Sequence, residues 1–99
     1  MITFTVLGSG TSTGVPTVAC ECVTCTSADP RDRRLRTSLL IRSDTTTVLI
    51  DTSSDFRTQM LSNNVLRIDG VVYTHHHFDH IGGFDDLRPY AFRSGKPVE

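Results

Sequence analysis

The sequence predicts an α/β domain, a mixed sheet with helices on at least one face. Segments of strand and helix period follow one another in the order β, ββ, α, β, α, which is the pattern of a layered α/β structure. Two neighbouring strand segments are separated only by a turn and read as a hairpin. A short apolar run, Val71-Val72 with Tyr73 and Thr74, follows a helical segment and reads as a buried strand.

Residues 2–7 set Ile2, Phe4 and Val6 against Thr3, Thr5 and Leu7, the period of a strand, and Gly8 ends it. The stretch Gly8 to Pro16 is too rich in glycine and small polar residues for a helix. It is either a plain connecting turn or a loop whose backbone N–H groups face a phosphate. A cysteine-bearing loop and a charged stretch, Asp29 to Arg36, lead to a strand at about 37–43, a turn at Ser43-Asp44 and a second strand at about 45–51. Ser53 or Ser54 caps a helix over about 55–63, whose Phe56, Met60 and Leu61 are expected to share a face. Asp55 reads as a first-turn residue favoured by the helix dipole. Asp69-Gly70 turns the chain into the strand at 71–74. His80-Ile81-Gly82-Gly83 opens a second helix that Pro89 is expected to limit, and residues 96–99 read as the approach to another strand.

The 99 residues hold ten basic and eleven acidic side chains, a net charge of −1, which provides no global attraction to nucleic acid or anionic lipid. No apolar run approaches the ~20 residues of a membrane span, and the start lacks the basic and apolar regions of a secretion signal, so a cytoplasmic location is expected. Arg31, Arg33, Arg34 and Arg36 form a local basic run, diluted by Asp29 and Asp32. It is either a solvated face or a contact for phosphate or RNA. Arg88 and Tyr90 follow the second helix and are candidates for a substrate phosphate, with packing and pairing to Asp85 or Asp86 as the competing reading.

Cys20, Cys22 and Cys25 are the only cysteines and lie within six positions. An odd, tightly spaced set makes a poor disulfide framework, and in a reducing compartment clustered thiols more often hold a metal. Three thiolates supply most of a tetrahedral zinc site.

All four histidines fall in Thr74-His75-His76-His77-Phe78-Asp79-His80. In an extended segment residues i and i+2 point to one side, so His75 and His77 can grip one metal ion while His76 faces away. The turn into the helix then brings Asp79 and His80 toward a second ion. Imidazole and carboxylate suit zinc, iron or manganese. Two ions ~3.5–4 Å apart acidify a bridging water and clamp both oxygens of an in-line displacement.

This stretch, continued by Ile81-Gly82-Gly83, resembles the signature of the metallo-β-lactamase-fold hydrolases, and Val48-Leu49-Ile50-Asp51-Thr52 resembles the motif that precedes it. The Gly8–Pro16 loop followed by the cysteine trio resembles the PhnP-like phosphodiesterases. The resemblance runs from the first strand to the helix after the histidines. It implies the N-terminal half of an αββα sandwich, with residues 1–99 the N-terminal part of the domain. Two divalent ions, zinc or manganese, are implied at His75, His77, Asp79 and His80, with Asp79 catalytic and Asp51 supporting the metal loop from behind. One structural zinc is implied at Cys20, Cys22 and Cys25. In these families further ligands lie downstream, which makes both sites incomplete within residues 1–99.

The expected function is hydrolysis of cyclic or small phosphodiesters by a two-metal-activated hydroxide. The isolated segment is expected to bind metal weakly and to catalyse poorly. The alternatives are tRNA 3′ processing, thioester or lactam hydrolysis on the same fold, and a metal-binding or assembly module without activity. The expected partners are a small phosphodiester and, for the assembly reading, a second copy or a complementing chain. RNA is not favoured, and no membrane is expected.

Overall fold

The structure, a computed structural model, describes residues 1–99. Four strands, β1 (Thr3–Gly8), β2 (Ser38–Arg42), β3 (Thr47–Ile50) and β4 (Gly70–Val72), form one sheet in sequence order. The β1–β2 and β2–β3 pairs are antiparallel and β3–β4 is parallel, so the sheet is mixed as predicted. Three short helices accompany it: α1 (Phe56–Ser62), α2 (Phe78–Ile81) and α3 (Arg88–Ser94). Single 3₁₀ turns lie at Pro30–Asp32 and Phe84–Leu87.

The hairpin forms as expected, but its loop is longer than Ser43-Asp44. Arg42 lies opposite Thr47, and the Ser43 amide donates to the Thr46 carbonyl, so the second strand begins at Thr47 rather than near 45. Its register sets Leu40 against Leu49, and both side chains are wholly buried. Leu7, Phe56, Met60, Val65 and Ile68 complete the core on that face of the sheet, with Val71, Leu87, Tyr90 and Val98 packed around it. Burying each large side chain contributes roughly 1.5–3 kcal/mol.

The opposite face is also apolar. The register lines up Phe4 with Ile41, Val6 with Leu39, and Ile50 with both Leu39 and Val72. Here Phe4 and Val6 are about two-thirds exposed. One layer of helices covers one face only, the arrangement of one sheet from a two-sheet sandwich. Alternation along β1 sends Leu7 into the core while Val6 stays on the open face, and the pairing with β2 is irregular between Val6 and Gly8.

Two sequence expectations for the helices are corrected. Phe56 and Met60 are buried as expected, but Leu61 is 64% exposed, because one further residue rotates the side chain about 100° around the helix. The inward position is filled by Gln59, whose Oε1 accepts from Ser53 Oγ (2.7 Å) and whose Nε2 donates to the Arg36 carbonyl (2.8 Å). Pro89 does not end the second helix; it sits in the first turn of α3. Its fixed φ suits that position, where no intrahelical N–H partner is needed. The earlier helix is a single turn that begins at Phe78, with His77 at its cap.

Residue 99 meets the outer edge of β4. The Val71 amide donates to the Glu99 carbonyl (2.9 Å) and the Glu99 amide to the Asp69 carbonyl (3.1 Å), the bonding pattern of a parallel neighbour. The approach to a further strand was therefore legible. No helix is long and apolar enough to cross a membrane.

Candidate metal centre

Asp51 follows β3 in a left-handed conformation, with φ of 65°, and is 2% exposed. Asp tolerates this region better than most residues, although it costs of order 1–3 kcal/mol for a non-glycine. Three bonds hold it there. The Asp51 amide donates to the Val72 carbonyl (2.9 Å), Ser38 Oγ donates to the Asp51 carbonyl (2.8 Å), and Thr74 N donates to Oδ1 (2.8 Å). The β3–β4 ladder thus ends in backbone bonds and is continued by a side chain.

The second carboxylate oxygen faces the histidine segment. Oδ2 lies 2.7 Å from Thr74 Oγ1 and 2.7 Å from His80 Nδ1. Burial alone would raise the Asp51 carboxyl, but the Thr74 amide, His80 and the Thr74 hydroxyl together outweigh it and hold the group below its ordinary value. A carboxylate can only accept, so His80 donates from Nδ1 to Asp51 and turns Nε2 toward Asp79. Asp79 Oδ2 stands 3.1 Å from that nitrogen.

The other rings gather around His80. The His75 ring is 4.0 Å from it and 4.7 Å from His77, centroid to centroid. His76 is exposed, with its ring 5.7 Å from that of His77. His75 and His77 are exposed, whereas Asp79 and His80 are half-buried, so the donors line an open surface with a buried floor. No three of these donors come mutually within 4.8 Å, unlike the cysteine sulfurs. The set is imidazole and carboxylate, backed by a buried acid that orients the innermost ring, and it fits divalent ions of the zinc and manganese type.

Glycine makes this packing possible. A Cβ on Gly83 would overlap Phe56 and stand 2.6 Å from the Ser53 carbonyl. Only glycine lets the turn after the histidines lie directly on the start of α1, where the Gly83 amide donates to the Thr52 carbonyl (3.0 Å).

The cysteines form a second cluster. The three Sγ atoms lie within 4.8 Å of one another although 20, 22 and 25 belong to no strand or helix. The Thr17 amide donates to Cys25 Sγ and the Cys25 amide to Cys22 Sγ. The Cys25 amide, followed by the neighbouring thiols, lowers the Cys22 thiol to about 7, while Cys20 is raised.

The remaining candidates are engaged elsewhere. Tyr90 donates its hydroxyl to the Val65 carbonyl (2.8 Å) and packs edge-on against Phe56, so it is a core residue. Arg88 pairs with Asp85 (2.9 Å). Arg31 pairs with Asp29, and Arg34 donates to Ser9 Oγ. Arg36 donates to the Ser12 carbonyl and pairs with Asp55 (2.9 Å), tying the glycine loop to the start of α1. Asp55 is thus a cross-link as well as a helix-start residue. Sequence reasoning passed over Thr74, Ser38 and Gln59; the only signal was a hydroxyl or amide beside a motif, and such residues are common on surfaces.

Comparison with known proteins places this geometry in a family. The crystal structure of a diphosphatase from the PhnP family is similar with a TM-score of 0.91 and 55% identity, covering 95% of this chain and 37% of that one. Zn²⁺-bound PqqB from Methylobacterium extorquens is similar with a TM-score of 0.77 and 28% identity, covering 89% of this chain and 36% of that one. An octanoyltransferase of Porphyromonas gingivalis is 58% identical over 83 residues, 83% of this chain and 17% of that protein. The chain therefore spans well under half the length of each. Residues 31–91, which include β2 to β4 and the whole histidine segment, match the metallo-beta-lactamase superfamily, and the chain belongs to that superfamily.

Proposed function

We propose that residues 1–99 are the N-terminal part of a metal-dependent hydrolase that cleaves small or cyclic phosphodiesters. The observation that carries hydrolysis at phosphorus is the 55% identity with a PhnP-family diphosphatase over 95% of the chain. The choice of a phosphodiester rests on the resemblance of the Gly8–Pro16 loop and the cysteine trio to the PhnP-like phosphodiesterases. The histidine segment supports the metal dependence. His75 and His77 would hold one divalent ion, zinc or manganese, and Asp79 and His80 the other. When bound, such ions supply Lewis acidity and an acidified water for in-line attack at phosphorus. The chain's own part is to orient donors. Asp51 turns His80 so that Nε2 faces the Asp79 carboxylate, and Gly83 seats the segment on α1. Cys20, Cys22 and Cys25 would hold a structural zinc away from the chemistry. A reducing, cytoplasmic setting suits those thiols.

The test incubates the whole protein of which residues 1–99 are the N-terminal part, and the purified segment alone, with Mn²⁺ or Zn²⁺ and, side by side, bis-p-nitrophenyl phosphate, a cyclic nucleotide, a diphosphate, precursor tRNA and an octanoyl thioester. Turnover of the phosphorus substrates by the whole protein, lost with a chelator and in His77→Ala, with poor turnover by the segment alone, is the expected result. Turnover of the thioester alone would follow the octanoyltransferase likeness and overturn the substrate class. Stoichiometric metal with no turnover of any substrate would make the segment a metal-binding or assembly module.

A further inference from the structure

The Thr74 side chain stands between two groups with different hydrogen-bonding options. Its Oγ1 is 2.7 Å from Asp51 Oδ2 and 2.9 Å from His75 Nδ1. A hydroxyl has one proton to give. The carboxylate can only accept, so that proton goes to Asp51. Toward His75 the same oxygen has only lone pairs left, so His75 Nδ1 must carry the hydrogen. The Thr74 amide donates separately to Asp51 Oδ1, which holds the residue whatever its side chain does.

We infer that Thr74 is a positioning residue: its hydroxyl relays the Asp51 carboxylate to His75, fixing that imidazole as the Nδ1–H tautomer with Nε2 presented to the ion. One buried acid then sets two rings, His80 directly and His75 through one hydroxyl. Outer groups of this kind orient metal-binding imidazoles and raise their basicity. The inference deepens the proposed metal centre and rests on His75 and His80 being its ligands, but the tautomer is a property of the metal-free chain and is measurable there.

The experiment is a long-range ¹⁵N–¹H correlation of the histidine rings in metal-free protein, at a pH about two units above the ordinary imidazole value. Wild type is expected to show His75 and His80 protonated at Nδ1. In Thr74→Val, which keeps the shape and the backbone bond, His75 moves toward the Nε2–H form that free imidazole prefers while His80 stays. Thr74→Ser restores the wild-type pattern. Thr74 is exposed, so the valine has room. His75 found as Nε2–H in wild type, unmoved in the valine variant, or not restored by serine overturns the relay.

Mn²⁺ titration followed by electron paramagnetic resonance separates the two ideas, since this ion prefers nitrogen and oxygen donors to the thiols. The valine variant is expected to bind about 10–100-fold more weakly, with serine recovering most of the loss. Absence of Mn²⁺ binding by the whole wild-type protein, with the tautomer pattern intact, overturns the metal reading and leaves the relay supported.

Discussion

The histidine and cysteine segments both gather ligands from a few consecutive residues, and they are held in different ways. The histidines hang from a buried carboxylate at the end of β3, which receives Thr74 twice and His80 once. The cysteines lie in a loop without strand or helix, where two backbone amides point at sulfur. The first arrangement is tied to the sheet through protein hydrogen bonds. The second has little besides its own thiols to hold it, so an ion would be a principal cross-link. Orientation supplied in advance suits a site that must aim at a reacting atom, whereas a structural site gains its order from the ion itself.

The strongest break of this contrast is Asp51→Ala, which leaves the Thr74 amide and His80 facing an empty position. Urea denaturation is expected to show a loss of about 3 kcal/mol, in line with removing one member of a buried pair, and Mn²⁺ affinity is expected to fall about 100-fold. Unchanged metal affinity would mean that the histidines orient themselves.

Gly83→Ala forces a methyl into Phe56 and the Ser53 carbonyl, and overpacking of this kind costs about 1–3 kcal/mol. A loss below about 0.5 kcal/mol, the scatter of surface substitutions, would show that the segment is not seated as tightly on α1 as the geometry requires.

Stripping zinc with a chelator is expected to open residues 17–28 to protease and hydrogen exchange while the Thr74 amide stays protected. Equal loosening of both segments would erase the distinction. The smallest effect is chemical. With Cys22 lowered from the usual 9.0 to about 7, its thiolate grows in as pH rises through neutrality. In zinc-free protein, alkylation should therefore favour Cys22 over Cys20 near pH 7, and the preference should shrink at high pH as all the thiols ionise. Indifference among the thiols at pH 7, read by peptide mass, would show that no such local field exists.

Much of the fold was legible because period and turn chemistry decide it. The hairpin itself follows from strand period on either side of Ser43-Asp44, whereas its register, with Leu40 opposite Leu49, depends on a loop of residues 43–46 that the turn signal alone does not set. The position of Asp51 was legible from its strand-end setting and family resemblance. Less legible were features decided by three-dimensional neighbours. Leu61 looked inward by composition, but the helix phase is fixed by Phe56 and Met60, and Gln59 takes the inward place because Ser53 and the Arg36 carbonyl satisfy its amide. Pro89 stops a helix only if one is already running; after the Phe84–Leu87 turn it starts one. Arg88 and Tyr90 follow the histidines in sequence, yet a local acid and the Val65 carbonyl claim them. The Thr74 relay depends on which atom holds a proton, and a sequence does not show that.

The left-handed turn at Asp51 makes one residue both the end of a strand and the anchor of the histidine segment. Sheet formation and readiness for metal are then a single cooperative event, linked by mass action. An ion that binds only the folded chain, present at a hundred times its dissociation constant, would brace the sheet by about 2.7 kcal/mol. By the same linkage, anything that loosened β3 from β4 would weaken the grip on such an ion, so the thermal midpoint of the fold would double as a gauge of free metal in solution.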